Sequence, residues 1–334
     1  MGKRKLTIQQ QRRIRERRRD GGSPSPAEMA ADRALGPERE GVVITRYGSQ
    51  ADVLPPDFSA DDQPQRCHIR ANLTDLVTGD RIVWREGHDT GVIERARTRQ
   101  TIMARPDKQG RSRPVAANVD RIAVVIAPEP RPHASLIDRY LVAAETQGIR
   151  PLIILNKVDL LTGPDAGHLK ALLDTYAELD YEVLRVSARN GDGMGPLFAY
   201  LADHTSVLVG QSGVGKSTLV NILCPGAAAT VGSLSEQAAK GRHTTTSATL
   251  YAMPNGGRLI DSPGIREFGL WHLDTRAVAE GFVEFRPVLG GCRFRDCRHL
   301  DEPGCAVLEA AARGQIQARR LASYQHIVRE LLDH

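Results

Sequence analysis

The stretch Ser206-Val207-Leu208-Val209-Gly210-Gln211-Ser212-Gly213-Val214-Gly215-Lys216-Ser217-Thr218 decides the class of the fold. Its first four residues read as a short buried strand, and a helix starts at Ser217 and runs to Leu223. Between them, Gly210 to Ser217 fits the spacing G-x-x-x-x-G-K-[ST]. The glycines let the backbone curl so that successive amide hydrogens face one point, where the helix N-terminus adds partial positive charge. Lys216 brings a point charge to the β and γ phosphates of a nucleotide, and the Ser217 hydroxyl suits magnesium. A chance glycine-rich turn would lack the strand before it and the helix after it. Gly210, Gln211, Ser212, Gly213, Val214, Gly215, Lys216, Ser217 and Thr218 are therefore read as a phosphate cradle, with Lys216 also assisting catalysis.

Downstream, Leu259-Ile260-Asp261-Ser262-Pro263-Gly264 is an apolar strand that delivers an Asp to magnesium, followed by a Gly whose amide can meet a γ-phosphate. Between this element and the cradle, Gly241-Arg242-His243-Thr244-Thr245-Thr246 offers three hydroxyls. Thr245, with Thr246 as rival, is expected to complete the magnesium shell. The bland reading of the segment is a threonine-rich loop leading into a strand over Thr249 to Ala252.

Upstream, Asn156-Lys157-Val158-Asp159 follows a strand over Leu152 to Leu155, at the carboxyl edge where open α/β sheets bind ligands. A carboxylate at Asp159 accepts the two parallel hydrogens of guanine N1 and its 2-amino group. Adenine lacks that donor pair and would leave the carboxylate unpaired, a mismatch that rejects the wrong ligand strongly. Asn156 can hold the loop and the N7 edge, and the stem of Lys157 can cover the base plane. Ser187-Ala188-Arg189 follows the next strand, Glu182 to Val186, and places the Ala188 amide where guanine O6 needs a donor.

These motifs resemble those of translation-type GTPases, in which the cradle comes first and the base reader last. Here the base reader comes first, so the order is circularly permuted. The same sheet forms if the helix near Gly195 to Ala202 joins directly to the cradle strand. Permutation also sends the segment after Asp261 straight into the C-terminal module, so contacts to a γ-phosphate are expected to reposition that module.

Four regions are expected. Residues 1–36 form a flexible arm, because Lys3, Arg4, Lys5, Arg12, Arg13, Arg15, Arg17, Arg18 and Arg19 precede a Gly/Ser/Pro stretch that buries no apolar surface. Residues 37–115 contain short β-branched segments between turns, the pattern of a small barrel. Residues 116–270 alternate strand and helix, an α/β pattern with a parallel sheet. Residues 271–334 show helical periodicity over Thr275 to Leu289, Ala306 to Arg313 and Arg319 to Leu332.

The chain has 334 residues, 41% hydrophobic and 25% charged, and no apolar run long enough to span a bilayer, so it is read as a soluble, cytoplasmic protein. Net charge is +5, concentrated in the arm and in a second stretch of Arg95, Arg97, Arg99, Arg105, Lys108, Arg111 and Arg113. Together the two runs favour an RNA partner over solvated surface alone. Cys292, Cys297, His299 and Cys305, spaced Cys-x4-Cys-x-His-x5-Cys, suit one structural tetrahedral zinc. Arg293, Arg295, Arg298 and the termini of nearby helices are expected to help keep the thiols ionised, and the arginines to offer an RNA contact.

Permuted GTPase motifs, a small N-terminal barrel and this knuckle together resemble the ribosome-small-subunit-dependent GTPase family, RsgA or YjeQ. The resemblance spans the chain from about residue 40 onward. It implies an OB-fold barrel and a cytoplasmic, monomeric GTPase that binds the small ribosomal subunit and its 16S-type rRNA, assists late maturation and is stimulated by the subunit. It does not extend to the arginine-rich arm. Many GTPases carry a water-orienting Gln after the Asp-x-x-Gly element, where this chain has Ile265. Slow intrinsic hydrolysis follows, with His243 a candidate to position water. A non-catalytic RNA-binding assembly protein and an ATP-dependent enzyme are the competing readings.

Overall fold

The computed structural model describes residues 35–106, 111–162, 164–225, 227, 248–261 and 273–333. Residues 1–34 of the arm, Lys108, His243, Thr244, Thr245, Thr246, Gly264 and Ile265 lie outside the described residues.

Among the described residues thirteen strands form, most where β-branched residues cluster. The first five are β1 (Glu38–Tyr47), β2 (Gln50–Leu54), β3 (Gln65–Ile69), β4 (Arg81–Arg85) and β5 (Gly91–Ala96). They are ordered β1-β2-β3-β5-β4, and β4 pairs back onto β1, from Glu38↔Arg85 to Val42↔Arg81, so the barrel is closed. Its inward residues Val43, Ala51, Val53, Cys67, Ile82, Trp84 and Ile93 make a separate core. This is the expected barrel, with the strand order of an OB-fold. A hairpin of β6 (Ile102–Pro106) and β7 (Ser112–Ala117) then links barrel to sheet.

The second layer contains β8 (Arg121–Ile126), α1 (Ala134–Thr146), β9 (Arg150–Leu155), α2 (Pro164–Ala177), β10 (Glu182–Arg185), α3 (Met194–Leu201), β11 (Thr205–Val209), α4 (Lys216–Leu223), β12 (Thr249–Ala252) and β13 (Arg258–Asp261). Strands β10, β9, β8, β11 and β13 run parallel. Along β8, Ile122, Val124 and Ile126 face one core while Ala123 and Val125 face the other, the period-two pattern of a strand covered on both sides. Each fully buried Val, Leu or Ile of these layers stabilises the fold by about 1.5–3 kcal/mol.

Two features differ from expectation. The sheet is mixed: β12 runs antiparallel to β13, and it also meets β1 of the barrel at Thr45↔Thr249, making one eleven-stranded sheet. A strand that turns straight back on its neighbour through a short hairpin must be antiparallel. The C-terminal helices are α5 (Thr275–Gly281), α6 (Ala306–Ala312) and α7 (Ala318–Leu332). The helix expected from Thr275 to Leu289 stops at Gly281 and gives way to a 3-10 turn at Val283–Phe285. A Cβ on Gly281 would lie 2.6 Å from Val142, so the close approach of α5 to α1 requires glycine there. Phe282 and Phe285 then turn inward against Tyr324, with ring centroids 5.4 and 5.0 Å away.

Candidate functional site

The cradle forms where β11 ends. Gly213 and Gly215 have φ of 83° and 94°, a region that favours glycine, and the loop leads into α4 at Lys216. Lys216 Nζ donates to the Gly210 carbonyl at 2.7 Å and also to that of Gln211. Gly210, Gln211, Ser212, Gly213, Gly215, Lys216, Ser217 and Thr218 line a cleft of about 450 Å³, large enough for a nucleotide. Asp261 ends β13, beside β11 in parallel register, which places its backbone at the carboxyl edge from which the cradle springs.

The loop after β9 bonds to the glycine-rich loop that lines this cleft. Asn156 is buried, and its Nδ2 donates to the Val214 carbonyl at 2.9 Å. A Cβ on Gly215 would stand 2.4 Å from that Nδ2, so the contact depends on glycine. Lys157, itself at φ 60°, sends Nζ to the carbonyls of Gly213 at 2.7 Å and Glu129 at 2.8 Å, stretching its stem across the loop. Val158 and Asp159 begin a 3-10 turn. The Ser187 hydroxyl donates to Asp159 Oδ1 at 2.6 Å, and the Ala188 amide donates to Asn156 Oδ1 at 3.1 Å. Residues 58 positions apart in sequence, Asn156 and Val214, are therefore bonded neighbours. The glycine-rich loop and the loop that carries Asp159 are thus tied together at the ends of β11 and β9.

Sequence reasoning missed Tyr140, which lines the cleft from α1. Burial raises its pKa, partly countered by the Gly210 amide, so it stays a neutral phenol. Its spacing from Ile137 and Leu141 reads as ordinary helix core, and no local signal marks it.

The knuckle lies between the 3-10 turn and α6. The ligating atoms of Cys292, Cys297, His299 and Cys305 all fall within 4.8 Å of one another. Zinc bonds of about 2.3 Å to sulfur and 2.0 Å to nitrogen imply tetrahedral edges of roughly 3.8 Å (S to S) and 3.5 Å (S to N). Cys292 Sγ lies 3.9 Å from Cys305 Sγ, and His299 Nδ1 lies 3.5 Å from Cys292 Sγ and 3.3 Å from Cys305 Sγ. The donor set fits a metal ion. Burial pushes the Cys297 thiol up to about 12, raises that of Cys305 and lowers the His299 imidazole, so without an ion these three side chains are neutral. Amides of Leu308 and Val307 partly oppose burial at Cys305. The expected help from Arg293, Arg295 and Arg298 is not what sets these values: all three are exposed, where solvent screens them. From α7, the Tyr324 hydroxyl and Gln325 Nε2 donate to the carbonyls of Arg298 and Leu300, both at 2.8 Å.

The second basic stretch is also less open than its composition suggests. Arg95 pairs with Glu38 and Arg97 with Glu40, and Arg99 pairs with Asp80, whose side chain is fully buried. Arg105, Arg111 and Arg113 are exposed on the β6–β7 hairpin.

Residues 96–271 match the family described as RsgA GTPase. The small ribosomal subunit biogenesis GTPase RsgA of Azotobacter vinelandii is 54% identical, over 99% of this chain and 98% of its own. The protein of that name from Pseudomonas aeruginosa PAO1 is 53% identical, over 96% and 93%. Among solved structures, YjeQ of Thermotoga maritima superposes with a TM-score of 0.74 at 29% identity, covering 89% of this chain and all of that one. YloQ, described as a circularly permuted GTPase, gives 0.70 at 27%, covering 89% and 96%. With a closed barrel, a cradle downstream of its base reader and a Cys3His cluster, the chain belongs to the RsgA GTPase family.

Proposed function

We propose that this GTPase binds guanine nucleotide in the cleft of the permuted domain and hydrolyses GTP as an assembly factor on the small ribosomal subunit, contacting its 16S-type rRNA. Its relatives' names carry the subunit assignment. The observation that best supports the nucleotide assignment is the bond from Asn156 Nδ2 to the Val214 carbonyl, which ties the loop of Asn156 to the glycine-rich loop.

In this reading Asp159, oriented by Ser187, accepts N1–H and the 2-amino group. The Ala188 amide, which donates to Asn156 Oδ1 in this structure, would turn to O6 once the base is bound, while Asn156 holds the loop, the stem of Lys157 covers the ring and Val158 continues the turn. Amides of Gly210 to Thr218 and Lys216 Nζ bind the phosphates and stabilise the charge that develops as water attacks the γ-phosphorus in line. Gly264 adds an amide on the γ-phosphate side. Ser217, Asp261 and Thr245 would hold magnesium, which when bound would neutralise charge on the phosphates. His243 positions the water. The donor set of Cys292, Cys297, His299 and Cys305 favours zinc, and four protein ligands make it structural. The exposed arginines of the β6–β7 hairpin and the knuckle supply phosphate contacts, so affinity for RNA falls steeply with salt. The protein works as a cytoplasmic monomer.

The test is GTP turnover by the purified protein with and without small subunits. Stimulated hydrolysis of GTP, but not ATP, is expected. Subunit binding without turnover would leave a non-catalytic assembly protein, and equal use of ATP would remove the guanine reading.

A further inference from the structure

The barrel touches the GTPase sheet just after the threonine segment. The Thr78 hydroxyl, 2% exposed, donates to the Ala248 carbonyl at 2.8 Å. Ala248 stands three positions beyond Thr245 and directly before β12. Next to it, the Thr45 hydroxyl of β1 donates to Thr249 Oγ at 3.1 Å.

The turn that carries Thr78 is held from every other side. Gly79 N donates to the Val43 carbonyl and Val43 N to that of Asp80, both at 2.9 Å, which fixes the turn to the barrel. Asp80 Oδ2 accepts from Val77 N at 2.7 Å, and its carboxylate is paired with Arg99. On the hairpin side, Ala117 N donates to the Thr78 carbonyl at 3.0 Å and Asn118 Nδ2 to the Gly79 carbonyl at 2.8 Å. One turn therefore joins the barrel, the arginine-bearing β6–β7 hairpin and the backbone leaving the threonine segment.

We propose that Thr78 is a positioning residue for GTP hydrolysis: its hydroxyl fixes the Ala248 carbonyl, and so ties the state of the barrel and its hairpin to the backbone that enters β12 at Ala248, beside the strand that ends at Asp261. A polyanion held by the barrel or hairpin then favours one arrangement of that backbone, and stimulation by RNA passes through this bond. Energetic coupling needs such an element biased by both sites. The inference rests on the GTPase reading above.

The experiment compares wild-type, Thr78→Val and Thr78→Ser proteins. The Val side chain keeps the shape and removes the donor, and Ser returns it. Wild-type turnover with and without small subunits is measured first and tests the proposed function alone. For Thr78→Val, a fall of about fivefold or more in subunit-stimulated kcat is expected, the effect of about one net hydrogen bond, with GDP affinity within about twofold of wild type. Thr78→Ser should recover most of the stimulated rate. Full stimulated turnover in Thr78→Val would overturn the proposal. A parallel loss of GDP affinity and thermal midpoint would overturn it too, since the bond would then only hold the fold together. Should Thr78→Val fail to fold, Thr78→Ala, which also lacks the donor, is read in its place: lower stimulation at unchanged GDP affinity supports the role, and wild-type stimulation refutes it.

Discussion

Replacing Arg320 by Met should destabilise the junction between the C-terminal helices and the GTPase sheet by about 3–5 kcal/mol. The guanidinium is fully buried on α7. Its Nε and Nη2 donate to Glu284 at 2.6 and 3.0 Å, and its Nη1 donates to Asp138 on α1. Asp138 is also fully buried and accepts the Tyr176 hydroxyl at 2.7 Å, while the guanidinium stacks 4.4 Å from the Phe282 ring. Met preserves much of the apolar packing but leaves two carboxylates without their cation in a site closed to water. The cost is that of uncompensated charge rather than of the pair's own attraction. For a protein unit of this size, each kcal/mol moves the thermal midpoint by about 2–4 °C, so a fall of about 6–20 °C is expected in thermal unfolding followed by circular dichroism. Changing Asp138 and Glu284 as well, to Leu and Met, removes the stranded charge and should recover most of the loss. A fall under about 2 °C for the single variant would refute the reasoning, because Arg320 would then be dispensable to the charges around it.

Asp159→Asn should weaken GDP binding at least about 100-fold and improve binding of xanthosine diphosphate, whose 2-oxo group accepts the hydrogen that Asn offers. Competition titrations check both, and unchanged GDP affinity would count against the assigned base edge. Metal affinity of the knuckle should fall on acidification. Without an ion, burial holds the Cys297 thiol near 12 and raises that of Cys305, so an incoming ion displaces protons. Its apparent affinity drops by up to about tenfold per displaced proton per pH unit, and chelator competition at pH 8 and pH 6 should register this; a pH-independent affinity would contradict it. Gly79→Ala should cost about 2–4 kcal/mol, since φ is 87° and a Cβ would stand 2.2 Å from the Ala117 carbonyl oxygen. Denaturant unfolding measures it, and a loss under about 1 kcal/mol would show that the turn can relax.

Local chemistry made the cleft legible. Gly210 to Ser217 needs its residues in fixed spacing because successive amides must converge, and Asn156 to Asp159 must follow a strand end, so both motifs are written in consecutive positions. The Cys3His spacing worked for the same reason: the four ligands come from one 14-residue stretch. Features built from distant partners were hidden. Strand β2 and the β6–β7 hairpin, with Arg105, Arg113 and Pro114 in it, lack the apolar runs that mark buried strands. Arg95, Arg97 and Arg99 read as free positive charge because Glu38, Glu40 and Asp80 are far away in sequence. Thr78 reads as a plain turn residue until Ala248, 170 positions later, takes its hydrogen.

The most direct measurement is calorimetric titration of the magnesium-loaded wild-type protein with GDP and, separately, with ADP. If Asp159 and the cradle make one guanine-reading pocket, GDP binds and ADP binds at least about 100-fold more weakly. Equal affinities would mean that the carboxylate beside Ser187 does not meet the base, and the account would be wrong at its centre.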